Sequence, residues 1–289
     1  MNKNLNFLGS EIKETSPDDA LFHVIPAAME KSVSYGTGTS MGPAALIAAS
    51  QQLEVYDGYS CPSDEGIYTH PFIDCRGSAE ETVKIISSAV SSAVNSGKIP
   101  VTLGGEHTVT YGCVQGLKSV YDDFGVIQYD AHADLRDTYE GSGYSHACVM
   151  RRIFEMNVPF CQIGIRSISP AEVNFRNENR IIHHDAKDLY AKNDFNIILP
   201  ADFPRNIYIT VDVDGLDPSV IPGTGTPEPG GLFWYDFFKT VESVSAGRKI
   251  IGFDVVEFAP IENFHTAEFT GARLIYNMMG IVQRNRRAV

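Results

Sequence analysis

At 289 residues and 43% hydrophobic content, the chain is long enough to bury the core of one large α/β domain or two small ones. A formal net charge of −13 argues against a nucleic-acid partner and favours the approach of a cation. No apolar run reaches the roughly eighteen residues of a membrane span, so no membrane partner is expected, and the start, MNKNLNFLGSEIKETSPDD, lacks the apolar core of a secretion signal.

The first helix is expected near 42–53. Ser78-Ala79-Glu80-Glu81 is a capping box that opens a second through Val83, Ile86, Val90 and Val94, closed by Gly97. A strand at 99–103 leads into a helix at 108–121, and the next strand covers 124–130. Further strands are predicted at 160–165, 180–184, 206–213 and 249–255, with helices near 147–155, 170–178, 234–246 and 266–284. These strands are continuous apolar runs rather than alternating ones, as where helices cover both faces of a parallel sheet. With no repeat, low-complexity tract or dividing linker, residues 1–289 read as a single α/β domain. Five cysteines, Cys61, Cys75, Cys113, Cys148 and Cys161, are odd in number and lack a C-x-x-C spacing. They read as reduced thiols of a cytoplasmic protein.

Polar clusters fall at the carboxyl ends of four of these strands, where open α/β sheets gather their chemistry. Gly104-Gly105-Glu106-His107 follows one, Asp130 to Asp134 the next, Asp212-Val213-Asp214 a third and Glu257 a fourth. In YDAHADLRD, strand alternation sets Asp130, His132 and Asp134 on one side, and in YITVDVDGLDPS it pairs Asp212 with Asp214. Same-face carboxylates repel unless a cation meets them. Four aspartates with His107 and His132 form too hard a donor set for a structural zinc, and suit manganese or a similar divalent ion. Balancing four negative charges takes two ions, which can share and deprotonate one water.

GGEHTVT, DAHAD, DVDGLDPS…GTGTPEPGG and DVVEFAP stand in the order and spacing of the ureohydrolases, and the chain resembles the arginase and agmatinase superfamily from about residue 36 to its last helix. The resemblance implies a three-layer α/β/α fold with a mostly parallel sheet and two Mn2+ per chain. One ion would be held by His107, Asp130, Asp134 and Asp212, the other by His132, Asp130, Asp212 and Asp214. It further implies that His146 shuttles protons, that Asp134 relays one to the leaving amine, and that Glu257 pairs with a substrate guanidinium, with Thr226 beside it. A planar carboxylate suits that task because it meets a guanidinium through two parallel hydrogen bonds. Glu106 departs from the family's Gly-Gly-Asp-His, but precedes the ligand and leaves metal binding intact. A homo-oligomer, trimer or hexamer, is implied by family analogy alone.

Without their motifs, His146 could be a helix-start histidine, Glu257 a surface acid and Thr226 a turn hydroxyl. His23, His70, His183, His184 and His265 read as structural, Cys148 as no nucleophile, and the aromatic run 233–238 as a helix against the sheet. The expected reaction cleaves a small cationic guanidino compound to urea and an amine, with agmatine giving putrescine. The loop at 135–145 lacks the asparagine pattern with which family arginases grip an amino-acid head group. It carries Asp137 and Glu140, which would repel a carboxylate, while Arg136 could anchor an acidic tail. Guanidinobutyrate, guanidinopropionate, arginine and formiminoglutamate are the alternative substrates. A non-catalytic metal-binding member of the fold is disfavoured by the presence of Glu257 and His146, and a deacetylase of related fold by the Asp-x-Asp pair.

Overall fold

The computed structural model describes residues 6–288; Met1 to Leu5, the first part of the stretch read above for a signal, and Val289 lie outside them. Eight strands form one sheet in the order β2-β1-β3-β8-β7-β4-β5-β6, and every neighbouring pair is parallel. They are β1 (Phe22–Ala27), β2 (Ile67–Thr69), β3 (Ile99–Gly104), β4 (Gly125–Tyr129), β5 (Phe160–Ile163), β6 (Ile182–His184), β7 (Asn206–Asp212) and β8 (Lys249–Val256). The helices are α1 (Gly42–Ser50), α2 (Ala79–Asn95), α3 (Thr108–Lys118), α4 (Val149–Glu155), α5 (Pro170–Glu178), α6 (Ala186–Lys192), α7 (Trp234–Ser245) and α8 (His265–Ala288). Among the described residues no helix is long and apolar enough to cross a membrane, and all five cysteines are free thiols.

Two apolar cores lie on opposite faces of the sheet and make the fold three-layered. One joins the strands to α1, α7 and α8 through Leu46, Phe237 and Ile275; the other joins them to α2, α3 and α4 through Ile86, Val109 and Ile153. Alternation along β7 shows how the layers are built: Ile207, Ile209 and Val211 enter the first core, whereas Tyr208 enters the second. The Ser78–Glu81 capping box is present at α2. A matching box, Ser169 with Glu172, starts α5, with Pro170 preset for its first turn.

Three elements carry weak sequence signals. Strand β1, FHVIPA, holds His23 and Pro26 in its interior. Pro26 is tolerated because β2 pairs only as far as Val24, so that flank of the strand is an edge by the time it reaches the proline. Strand β2 and helix α6 are three and seven residues long, too short to set a period.

Strands β3, β8, β7 and β4 are consecutive in the sheet, and they are the four whose carboxyl ends carry the polar clusters. Gly105 seals the corner between them. Its N–H donates to Ala27, its carbonyl accepts from Glu257, and a Cβ there would sit 1.9 Å from the Met29 carbonyl oxygen. Gly105→Ala must therefore push backbone against backbone, at a cost of about 3 kcal/mol, the upper end for overpacking. Calorimetry should record a clearly lower melting midpoint; an unchanged midpoint would mean that the corner yields without strain.

Candidate metal and substrate site

The acidic cradle is assembled by turns as much as by strand alternation. Strand β4 stops at Tyr129, before Asp130, and Asp134 stands in the left-handed region at φ 52°. Asp212 ends β7, and Asp214 lies in the 3-10 turn Val213–Gly215 that follows, with its N–H donating to Asp212 Oδ1 at 2.9 Å. Glu257, just past β8, also takes a left-handed backbone at φ 61°. Non-glycine residues adopt this conformation at a cost that the surroundings must hold in place. Here the hydrogen bond from Glu257 N–H to Gly105 does so.

His107 is wholly buried at the start of α3. Its Nε2 is 3.0 Å from Thr210 Oγ1, and that hydroxyl donates in turn to Asp254 Oδ1 at 2.6 Å. Thr210 can therefore only accept from the ring, so the neutral imidazole carries its proton on Nε2 and turns the Nδ1 lone pair inward. Nδ1 lies 3.1 Å from Asp130 Oδ2, 3.0 Å from Asp134 Oδ2 and 3.6 Å from Asp212 Oδ2, yet makes no hydrogen bond. Four electron-rich atoms converge in a buried space, which is the demand a cation fills. A second cradle adjoins it, where His132 Nδ1 is 3.0 Å from Asp214 Oδ2 and 3.6 Å from Asp130 Oδ1. His107, Asp130 and Asp212 form one group able to hold a metal ion and Asp130, His132 and Asp214 another, with Asp130 common to both.

Several side chains that hold this arrangement escape a motif search. Gln128 Nε2 donates to Asp130 Oδ2 at 2.7 Å, and Gln162 Nε2 donates to Gln128 Oε1 at 2.7 Å. Asp254 also accepts from Tyr208 at 2.8 Å, which completes the buried chain behind His107. Arg166 donates to the carbonyls of Gly164, Asp214, Glu228 and Pro229, tying the Asp214 turn to the loop that bears Thr226. Two of the supporting residues carry a signal in the sequence, a polar residue two places before a candidate ligand in an apolar strand: Gln128 before Asp130 and Thr210 before Asp212.

A cleft of about 340 Å3 opens above the cradle. His132, Asp134, Asp212, Asp214, Thr226, Glu257 and His146 line it, whereas His107 and Asp130 are buried beneath. Glu257 Oε1 accepts from His107 N–H at 2.7 Å, and Thr226 Oγ1 is 3.4 Å from Asp214 Oδ2. The His146 ring meets Tyr139 edge-on at 5.7 Å. Cys148 stands apart from the wall, and burial pushes its thiol up to about 11. Of the remaining histidines, His23 and His70 bond to each other at 2.8 Å between β1 and the stretch after β2.

The 135–145 loop differs from expectation. Asp137 is engaged by Arg152 at 2.8 Å and does not line the cleft. Glu140 stands in a tight turn closed by Tyr139 and Ser142, where it is exposed and does not line the cleft. The loop instead presents Tyr139 and Arg136 to the cleft, with the Arg136 guanidinium 5.4 Å from the Tyr139 ring centre. Glu172 is a further acidic residue of the wall, and its oxygens accept from Leu135 N–H and from Ser169.

Residues 20–280 match the sequence profile of the Arginase family. The chain belongs to that family, with its fold, and is an amidinohydrolase. It is 37% identical to the N(1)-aminopropylagmatine ureohydrolase of Synechocystis sp. over 97% of this chain and 95% of the relative. It is 31% identical to the agmatinase of Pyrococcus horikoshii over 95% and 96%. The crystal structure of agmatine ureohydrolase of Thermoplasma volcanium superposes with a TM-score of 0.85 at 27% identity, covering 99% of this chain and 97% of that one.

Proton competition at the cradle has a definite sign. Burial raises the Asp212 carboxyl well above its ordinary value, and the charges of Asp214, Asp130 and Glu257 add to it. Burial would lower His132, but its bonds to Asp130 and Asp214 prevail and push it up to about 12. Burial would raise Asp130, but the attraction of the two imidazoles beside it prevails and holds it low. Groups raised in this way hold their protons to higher pH, and a metal ion must displace them, so metal affinity falls as pH falls. Calorimetric titration of metal-stripped protein with manganese, near pH 7 and in buffers of different ionisation enthalpy, should report net proton release. Binding should weaken at lower pH; binding without proton release would contradict this account.

Proposed function

We propose that the protein hydrolyses a linear cationic guanidino amine to urea and a primary amine, agmatine giving putrescine. The observation that carries this reading is a buried carboxylate, Glu257, set in the same cleft as the four-aspartate cradle. The cradle would hold two Mn2+ per chain, one at His107, Asp130, Asp134 and Asp212, the other at His132, Asp130, Asp212 and Asp214. When bound, the pair supplies a water acidified to a nucleophile at neutral pH and positive charge toward the polarised substrate. One oxygen of Glu257 is anchored by His107 N–H, which fixes the carboxylate plane for paired hydrogen bonds to the guanidinium. Thr226, on the same cleft wall, bonds a further nitrogen of the guanidinium. Asp134 takes the proton released as water adds to the guanidinium carbon and gives it to the departing amine nitrogen. His146 exchanges protons between the cleft and solvent, a task suited to a side chain whose ordinary pKa lies near neutrality. The reading extends to one catalytic domain over 1–289, in the cytoplasm, as a homo-oligomer, trimer or hexamer by family analogy.

The name of the Synechocystis relative favours a second reading within the same class, in which the substrate is agmatine extended by an aminopropyl group. Arg136 on the cleft wall marks the competing outcome, an acid-tailed substrate. One panel separates them: urea release with manganese from agmatine, N(1)-aminopropylagmatine, arginine, guanidinobutyrate, guanidinopropionate and formiminoglutamate. Agmatine or its aminopropyl derivative should exceed arginine in kcat/KM by roughly 10²-fold, a discrimination within reach of one mispaired group. A higher value for an acid-tailed compound would overturn the assignment.

Glu257 and His146 should separate kinetically. Glu257→Gln removes half of a charge-assisted pair, about 1.5–3 kcal/mol, and should raise KM as well as lower kcat. His146→Ala should lower kcat by roughly 10²-fold and leave metal content intact. Metal loss in His146→Ala would reassign that histidine to the scaffold.

A further inference from the structure

Glu106, adjacent to the cradle, is wholly buried, and its contacts lead to the cleft. Its Oε2 accepts from Lys31 N–H and from Ser32 N–H at 2.6 Å. Its Oε1 is 3.0 Å from Ser32 Oγ. In that contact the Ser32 hydroxyl donates and the Glu106 oxygen accepts. The two lone pairs of Ser32 Oγ then face His146. One accepts from its backbone N–H at 3.0 Å, and the other lies 3.2 Å from its Nδ1. With the serine proton spent on Glu106, only Nδ1–H can complete that last bond. Ser145 Oγ, 3.4 Å from Nδ1, is the longer contact and has lone pairs of its own to accept the same proton.

We infer that Glu106 and Ser32 are positioning residues that fix His146 as its Nδ1–H tautomer, leaving Nε2 as the nitrogen that takes up and releases a proton. The inference rests on the proposed proton-carrying role of His146. It gives the glutamate at position 106 a function through Ser32, on the strand-end loop beside the one that bears Glu257. It also explains why a hydroxyl on the 30–36 segment reaches across to a histidine more than a hundred residues later. Orientation of an imidazole by a hydrogen-bonded partner on its far nitrogen sets which nitrogen is basic.

The test compares Ser32→Ala, Ser32→Thr, Glu106→Gln, the Ser32→Ala/Glu106→Gln double variant and His146→Ala. Each is assayed with the guanidino compound the parent enzyme turns over best, and bound metal is counted in each. Gln at 106 can keep both backbone N–H bonds on its carbonyl oxygen while turning its NH2 toward Ser32. The serine hydroxyl is thereby reversed onto Nδ1 and the proton moved to Nε2. Ser32→Ala and Glu106→Gln should each lower kcat about 10- to 100-fold, within the range for a lost general acid or base. KM should stay within about threefold and metal content should match the parent. Ser32→Thr, which keeps the hydroxyl, should restore kcat to within about threefold. The double variant should lose no more than either single one, as for residues acting in one chain.

If His146→Ala is impaired while Ser32→Ala and Glu106→Gln keep parental kcat, the relay is wrong and the histidine assignment stands. If His146→Ala turns over normally, the assignment and the relay both fall. Metal loss in the Ser32 or Glu106 variants, or no recovery with threonine, would place these residues in the scaffold and overturn the inference.

Discussion

Repulsion among Asp130, Asp134, Asp212 and Asp214 is the constraint from which the rest of the molecule can be understood, because four carboxylates this close and this buried are untenable without positive charge among them. Protons can meet part of the demand, as the raised carboxyl of Asp212 indicates. Divalent ions meet it with ligand geometry as well as charge. His107 is placed so that it could join in the second solution: with its Nε2 proton committed to Thr210, its lone pair is turned on three carboxylate oxygens.

The sheet order serves this centre. Strands β3, β8, β7 and β4 are neighbours, so the loops after them meet at one edge although they are far apart in sequence. Beneath the cradle lies a layer of buried polar groups, Gln128, Gln162, Thr210 and Asp254, each held by at least one hydrogen bond. Such groups are costly in an apolar core unless their hydrogen bonds are made. Here those bonds fix the direction of Asp130 and His107. Arg166 does the same for the Asp214 turn by gathering carbonyls from three loops.

Much of this was legible in the residues. Long apolar runs and capping boxes announced six of the eight strands and all helices but α6, because period and cap chemistry are local. The candidate ligands stood out as charged residues at the ends of buried strands. What stayed hidden depends on long-range partners. Strand β1 is stabilised by β3 despite Pro26, and Asp134 reaches His107 through a left-handed backbone rather than by alternation. Asp137 and Glu140 read as part of the cleft, but Arg152 and a tight turn take them out of it, and Arg136 lines the wall in their place. Glu106 looked like a neutral neighbour of a ligand until Ser32 linked it to His146.

Whether the cradle takes up a pair of ions is decided by stepwise reconstitution. Protein stripped of metal is given manganese in increments, and bound manganese per chain and urea release are measured on the same samples. Saturation is expected at two ions per chain, with activity tracking occupancy of the second. Full activity at one tightly bound ion per chain would contradict a paired site.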